Sequence, residues 1–157
     1  MAKLTLKNLS HSYLTNQNND SDWALRGVDI DWKDGGAYAL LGPSGCGKTT
    51  LLNIISGLLK PTKGEVLFND KDVTTLNPVE RDIAQIFQFP VIYDTMTVYD
   101  NLAFPLKNRG LSETEIDSKV KEIGEMLELT STLKNKAAGL TADGKQKISL
   151  GRGLVRS

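Results

Sequence analysis

The sequence is poor in several things, and each shortage excludes something. It has one cysteine, Cys46, which rules out an intrachain disulfide and fits a reducing compartment. Neither sign of charge is in excess: Lys plus Arg and Asp plus Glu number 19 each, so nothing points to nucleic acid bound through a basic face. No apolar run approaches the ~20 residues of a membrane helix. The start, Met1-Ala2-Lys3-Leu4-Thr5, lacks the apolar centre of a signal peptide. There is no internal repeat, and the one biased tract is the Asn-rich run from Thr15 to Asp22, a surface loop by composition. What remains is a soluble chain of 157 residues, long enough to bury a core, which is expected to reach a membrane only through a partner.

Against that background one stretch stands out. Gly42-Pro43-Ser44-Gly45-Cys46-Gly47-Lys48-Thr49-Thr50 fits G-x-x-x-x-G-K-[ST], the phosphate-binding P-loop. The apolar Ala37–Leu41 before it reads as a buried strand. The run Leu51–Leu59 after it reads as a helix closed by Lys60 and Pro61. Strand, glycine loop and helix is the arrangement the chemistry requires. Glycines permit a tight path and leave amide N–H groups free to face phosphate oxygens, and the helix N-terminus adds partial positive charge. Lys48 supplies a full charge to the β- and γ-phosphates, and the Thr49 hydroxyl is suited to Mg2+. Cys46 falls where the pattern is free and reads as a tolerated small residue.

The flanking segments add context. Leu4–Leu9 alternates like a half-buried strand, and Leu25, Val28, Ile30 and Trp32 suggest a second, turning at Lys33–Gly36. Tyr13 either packs in the core or offers its ring to a nucleobase; the residues alone leave both open. Glu65–Phe68 reads as a strand, and Arg81–Gln88 as a core strand ending on a glutamine. Gln88 is then either an ordinary polar strand end or a group at the carboxyl edge of a sheet, where ligands bind. The second half is helical. Thr97 caps one helix, Ser112-Glu113-Thr114-Glu115 forms a capping box for another, and Ile116, Val120, Ile123 and Leu127 make its apolar stripe. A last helix is expected from about Lys145 to Val155. Gly151 and Gly153 cost it about 1 kcal/mol each relative to alanine, so close packing is their expected reason.

Over essentially its whole length the chain resembles the ATP-binding subunit of ABC transporters, and among those the bacterial importers of carbohydrates, polyols and glycerol or glycerol phosphate. Tyr13 is similar to the aromatic residue that stacks on adenine, Gly42–Thr50 to the Walker A loop, and Gln88 to the Q-loop glutamine that ligates Mg2+. Pro78–Ile83 is similar to the segment before that glutamine, and Met96–Phe104 and Leu150–Arg156 to two further family stretches. The resemblance implies an α/β P-loop NTPase of ABC type, with residues 1–89 forming an antiparallel β element plus the start of the P-loop core, and 90–157 a helical subdomain. It implies ATP and Mg2+ as cofactors. The implied partners are a second ATP-binding subunit, two transmembrane permease subunits and, indirectly, an extracytoplasmic solute-binding protein, with the chain peripheral on the inner face of the cell membrane.

Two departures qualify the likeness. The family signature L-S-G-G-Q aligns with Leu140-Thr141-Ala142-Asp143-Gly144. Asp143 stands where a glycine amide would approach the γ-phosphate of a partner's ATP, and two negative charges ~4 Å apart repel by on the order of 1–4 kcal/mol. A site built on this signature is expected to be weak, which predicts a heterodimer with a different ATP-binding chain. The second departure is that no Walker B carboxylate, catalytic glutamate or switch histidine follows the signature helix. The only histidine, His11, precedes the P-loop. No catalytic set is therefore complete, the P-loop core is expected to be incomplete at its C-terminal side, and the stretch reads as part of a longer protein that binds ATP without turning it over. A non-hydrolysing regulatory subunit, a soluble ABC ATPase outside transport, and a P-loop kinase or GTPase are the alternatives. The two strands ahead of the P-loop disfavour the last.

Overall fold

The computed structural model describes residues 2–156, which divide into two compact units, one up to Ile83 and one from Ala84. The first unit is a small sheet carrying one helix. Strands β1 (Leu4–His11), β2 (Leu25–Trp32), β3 (Lys63–Phe68) and β4 (Lys71–Asp72) lie in the order β2-β1-β3-β4, every pairing antiparallel. Leu6 faces Ile30 on one side and Val66 on the other. Strict alternation would point Leu9 outward, but the register shifts after Leu6, where Asn8 takes φ 46°. That bulge returns Leu9 to the core. Helix α1 (Lys48–Ser56) lays Leu51 and Ile54 onto the same cluster as Leu6, Leu9, Val66 and Val73.

The far end of α1 is closed by an arginine. Arg81, 5% exposed, donates to the carbonyls of Ile54 (2.7 Å) and Ile55 (2.8 Å), and to those of Thr74 and Leu76 (2.9 Å each). The last carbonyls of a helix have no partner of their own, and a cation there also meets the negative end of the helix dipole. Burial alone pulls the Arg81 guanidinium below its ordinary pKa, with Asp72 opposing the shift. Two expectations fail here. Ala37–Leu41 is irregular rather than a strand, with Leu41 88% exposed, and Arg81–Gln88 is turn and coil. Neither run finds a neighbouring strand among the described residues, and without a ladder an extended segment must leave its N–H and C=O groups to other partners.

The second unit is a three-helix cluster. Helices α2 (Val98–Asn108), α3 (Glu113–Met126) and α4 (Ala142–Leu154) share a core of Val98, Leu102, Leu106, Ile116, Val120, Ile123, Ile148 and Val155. Each starts on a side-chain cap: Thr97 accepts from Asp100 N–H, Ser112 from Glu115 N–H in a full capping box, and Thr141 from Gly144 N–H. Thr141 therefore sets the start of α4 three residues ahead of the expected Lys145. A Cβ on Gly151 would stand 2.5 Å from Leu102 Cδ2 and 3.1 Å from Leu127 Cδ1, so this glycine is required by packing. At Gly153 the nearest atom would be 3.4 Å away, ordinary contact, and close packing does not explain it. Asn101, fully buried, donates to the Tyr93 and Thr97 carbonyls and accepts from Tyr93 N–H, pinning the loop ahead of α2. Among the described residues no helix is long and apolar enough to cross a membrane.

Candidate functional site

The glycine loop sits between the sheet of the first unit and α1. Gly47, φ +91°, is the N-cap of that helix. A Cβ there would stand 2.6 Å from the Ala24 carbonyl oxygen, so only glycine lets the loop pass β2 this closely. From Gly47 the chain turns directly into helix, the Leu51 N–H reaching back to the Gly47 carbonyl at 2.9 Å. The first-turn N–H groups before that bond lack intrahelical acceptors and form a positive end. Lys48 folds over the loop: its ammonium donates to the carbonyls of Gly42 (2.7 Å) and Pro43 (2.6 Å) and lies 3.6 Å from Cys46 Sγ. Ser44, Gly45 and Cys46 are exposed along the outer curve, and the Thr49 side chain is exposed at the helix start. Glycine-lined backbone, a helix N-terminus and one ammonium make a set that fits a polyphosphate, for which the Gly42 and Pro43 carbonyls would be competitors.

The structure brings a further residue to this loop. The Tyr13 hydroxyl lies 3.0 Å from Thr50 Oγ1, with the Tyr13 ring 66% exposed and Thr50 only 8%. Behind Tyr13 stands His11, edge to face at 4.7 Å. His11 is buried, its Nδ1 lies 3.4 Å from Thr62 Oγ1, and its Nε2 has no hydrogen-bond partner. Burial lowers its pKa, with a backbone hydrogen bond at Lys60 opposing the shift. Of the two roles open for Tyr13, core packing does not describe a ring so exposed.

The remaining expected site residues lie in the second unit. Gln88 is exposed, in the loop before α2. The signature-like residues build the start of α4: Leu140 folds over it, Thr141 caps it, Ala142 opens it, Asp143 lies in its first turn and Gly144 is buried. Asp143 has a partner that sequence reading missed. Lys147, one turn on, reaches its carboxylate at 3.8 Å and the Glu128 carboxylate at 3.0 Å. The spacing of four was the available signal. Arg81, at the head of the expected strand Arg81–Gln88, and His11 carry no local sequence signal of the contacts they make. Among the described residues no three His, Cys, Asp or Glu side chains gather to hold a metal.

A family model described as "ABC transporter" matches residues 25–157. The chain is 42% identical over 156 residues to the sn-glycerol-3-phosphate import ATP-binding protein UgpC of Cupriavidus metallidurans, covering 99% of this chain and 41% of that protein. It is 45% identical over 139 residues to the trehalose/maltose import ATP-binding protein MalK of Thermococcus litoralis, covering 85% of this chain and 37% of that protein. It thus spans about two fifths of the length of these relatives. Among solved structures it superposes on an ATP-binding cassette of an ABC transporter with TM-score 0.83 and 32% identity, over 99% of this chain and 66% of the other. A second likeness is to CbiO1 of Clostridium perfringens, part of an ABC transporter complex, with TM-score 0.85, 26% identity, 98% of this chain and 61% of the other.

Proposed function

The chain belongs to the ABC transporter family, and from that premise we propose that it is the nucleotide-binding part of an importer's ATP-binding subunit, taking ATP with Mg2+. The observation that carries this reading is the loop at Gly42–Thr50, where glycine backbone leads into a helix N-terminus capped by Gly47 and the Lys48 ammonium lies on the loop's own Gly42 and Pro43 carbonyls. In this reading Lys48 leaves the Gly42 and Pro43 carbonyls for the β- and γ-phosphates, the amides of the loop bond phosphate oxygens, and Tyr13 stacks on adenine. Thr49 and Gln88 serve the metal, which when bound neutralises charge between the phosphates. The imported solute belongs to the sugar, polyol and glycerol-phosphate class. That class is supported by the relatives, UgpC serving sn-glycerol-3-phosphate import and MalK trehalose/maltose import. The partners in this proposal are two permease subunits, a solute-binding protein, and a second ATP-binding subunit, with the assembly on the inner face of the membrane.

Asp143 favours a second, different ATP-binding chain rather than a copy of this one. Its carboxylate sits in the first turn of α4, where a signature would offer amide N–H groups to a partner's γ-phosphate. Lys147 answers that charge only in part, because it is shared with Glu128 at shorter distance. Two acidic groups about one base leave the helix start negative and repel a phosphate. Residues 1–157 alone are expected to bind ATP without turning it over. A titration with a fluorescent ATP analogue, paired with phosphate release, tests both halves: binding without release supports the reading, and no binding, or steady turnover by these residues alone, overturns the corresponding half. For the partner, two equally fast ATP sites in a transporter holding two copies of this chain would contradict the heterodimer.

A further inference from the structure

Tyr13 is tied to the P-loop by its hydroxyl as well as placed beside it by its ring, and the two attachments pull in different directions. The phenol oxygen lies 3.0 Å from Thr50 Oγ1. Thr50 is the third residue of α1, in the first turn where the helix leaves its N–H groups without intrahelical acceptors. Thr50 is nearly enclosed, and the Tyr13 hydroxyl is the side-chain partner its own hydroxyl has. The Tyr13 ring is braced from behind by His11, edge on at 4.7 Å, and His11 is itself buried. A ring held this way presents its outer face to solvent and its hydroxyl to the loop.

We propose that Tyr13 acts as a latch on the P-loop: its hydroxyl competes with a polyphosphate for the Thr50 hydroxyl, and binding must open that bond. The proposal rests on the reading of Gly42–Thr50 as a nucleotide site, and it adds a role opposite in sign to stacking. The ring favours ATP through the base, while the phenol oxygen disfavours any polyphosphate, base or no base. Deleting the hydroxyl while keeping the ring therefore improves binding, where a residue with only a stacking role would be unchanged and one with a structural role would lose.

The test compares the full chain with Tyr13→Phe and Tyr13→Ala, each first shown by circular dichroism to keep its secondary structure, titrated with ATP and with inorganic tripolyphosphate. Tyr13→Phe is expected to bind both ligands roughly three- to tenfold more tightly, the range of one net hydrogen bond. Tyr13→Ala is expected to bind tripolyphosphate as tightly as Tyr13→Phe does, and ATP more weakly than Tyr13→Phe does, because only the base needs the ring. Unchanged or weaker tripolyphosphate binding in Tyr13→Phe, with measurable binding in the parent chain, overturns the latch and leaves the nucleotide reading standing. Absence of binding of either ligand in all three chains overturns the nucleotide reading and the latch with it.

Discussion

The two units solve the same problem, satisfying a backbone, in opposite ways. In the second unit the main-chain hydrogen bonds of α2, α3 and α4 are made within each helix, and the open starts are closed by Thr97, Ser112 and Thr141. In the first unit the strands depend on one another across long sequence separations, and the run before the P-loop, which pairs with none of them, stays irregular. A helix carries its partners with it; a strand has to find them. The glycine loop lies in the first unit, where α1 is held at its start by Gly47 and at its end by Arg81.

Substitutions can break or sharpen that contrast, since both tryptophans, Trp23 and Trp32, lie in the first unit. Tryptophan fluorescence therefore follows that unit during urea unfolding, while far-ultraviolet circular dichroism is weighted toward the helices. The largest effect is expected from Arg81→Met, which removes a donor from the carbonyls of Ile54, Ile55, Thr74 and Leu76, the last three partly buried and the first still bonded by Gly57 N–H. Each unsatisfied buried group costs about 1–3 kcal/mol, and partial rescue by water leaves a loss on the order of 3 kcal/mol in the fluorescence transition. A loss below about 1 kcal/mol would mean that the α1 end is held by something else. Next is Gly151→Val, expected to cost about 1–3 kcal/mol in the dichroism transition through overpacking against Leu102. Gly153→Ala should raise stability by up to about 1 kcal/mol, and a loss there would show that the two glycines are packed alike.

A smaller effect belongs to the capping box: Ser112→Ala should cost about 1 kcal/mol, seen as early exchange of the first α3 amides. The smallest is a pH effect on the first unit. Folding holds His11 below its ordinary value of 6.5, so as pH falls the unfolded chain takes up this proton first. Stability linked to His11 is thus present above that value and lost on acidification below it. The fluorescence-detected urea midpoint should drop more between about pH 7 and about pH 5 in the parent chain than in His11→Phe. Equal drops would show that the imidazole is not the group responsible.

How much of this was legible follows the same division. The caps Thr97 and Ser112 and the stripe Ile116, Val120, Ile123 are local signals, and local structure honours them. The glycine loop and the turn into α1 were legible because the pattern states the backbone path itself. The segments Ala37–Leu41 and Arg81–Gln88 carry strand composition, but composition cannot supply a neighbour, and Arg81 is diverted into the end of α1. Helix α4 starts ahead of the expected Lys145 because Thr141, within the signature-like stretch, also serves as the cap. The Tyr13–Thr50 contact joins residues far apart in sequence, and no spacing rule announces it.

The notch at Gly151 ties two positions of the chain to a common fate. Leu102 fills the space a side chain on residue 151 would need, so neither can grow unless the other shrinks. A methyl group introduced at 151 alone is unwelcome, yet the same methyl beside a trimmed residue 102 fills the gap that trimming opens. Sequences compatible with this trio of helices must therefore exchange bulk between these two sites in concert, as a single unit of variation.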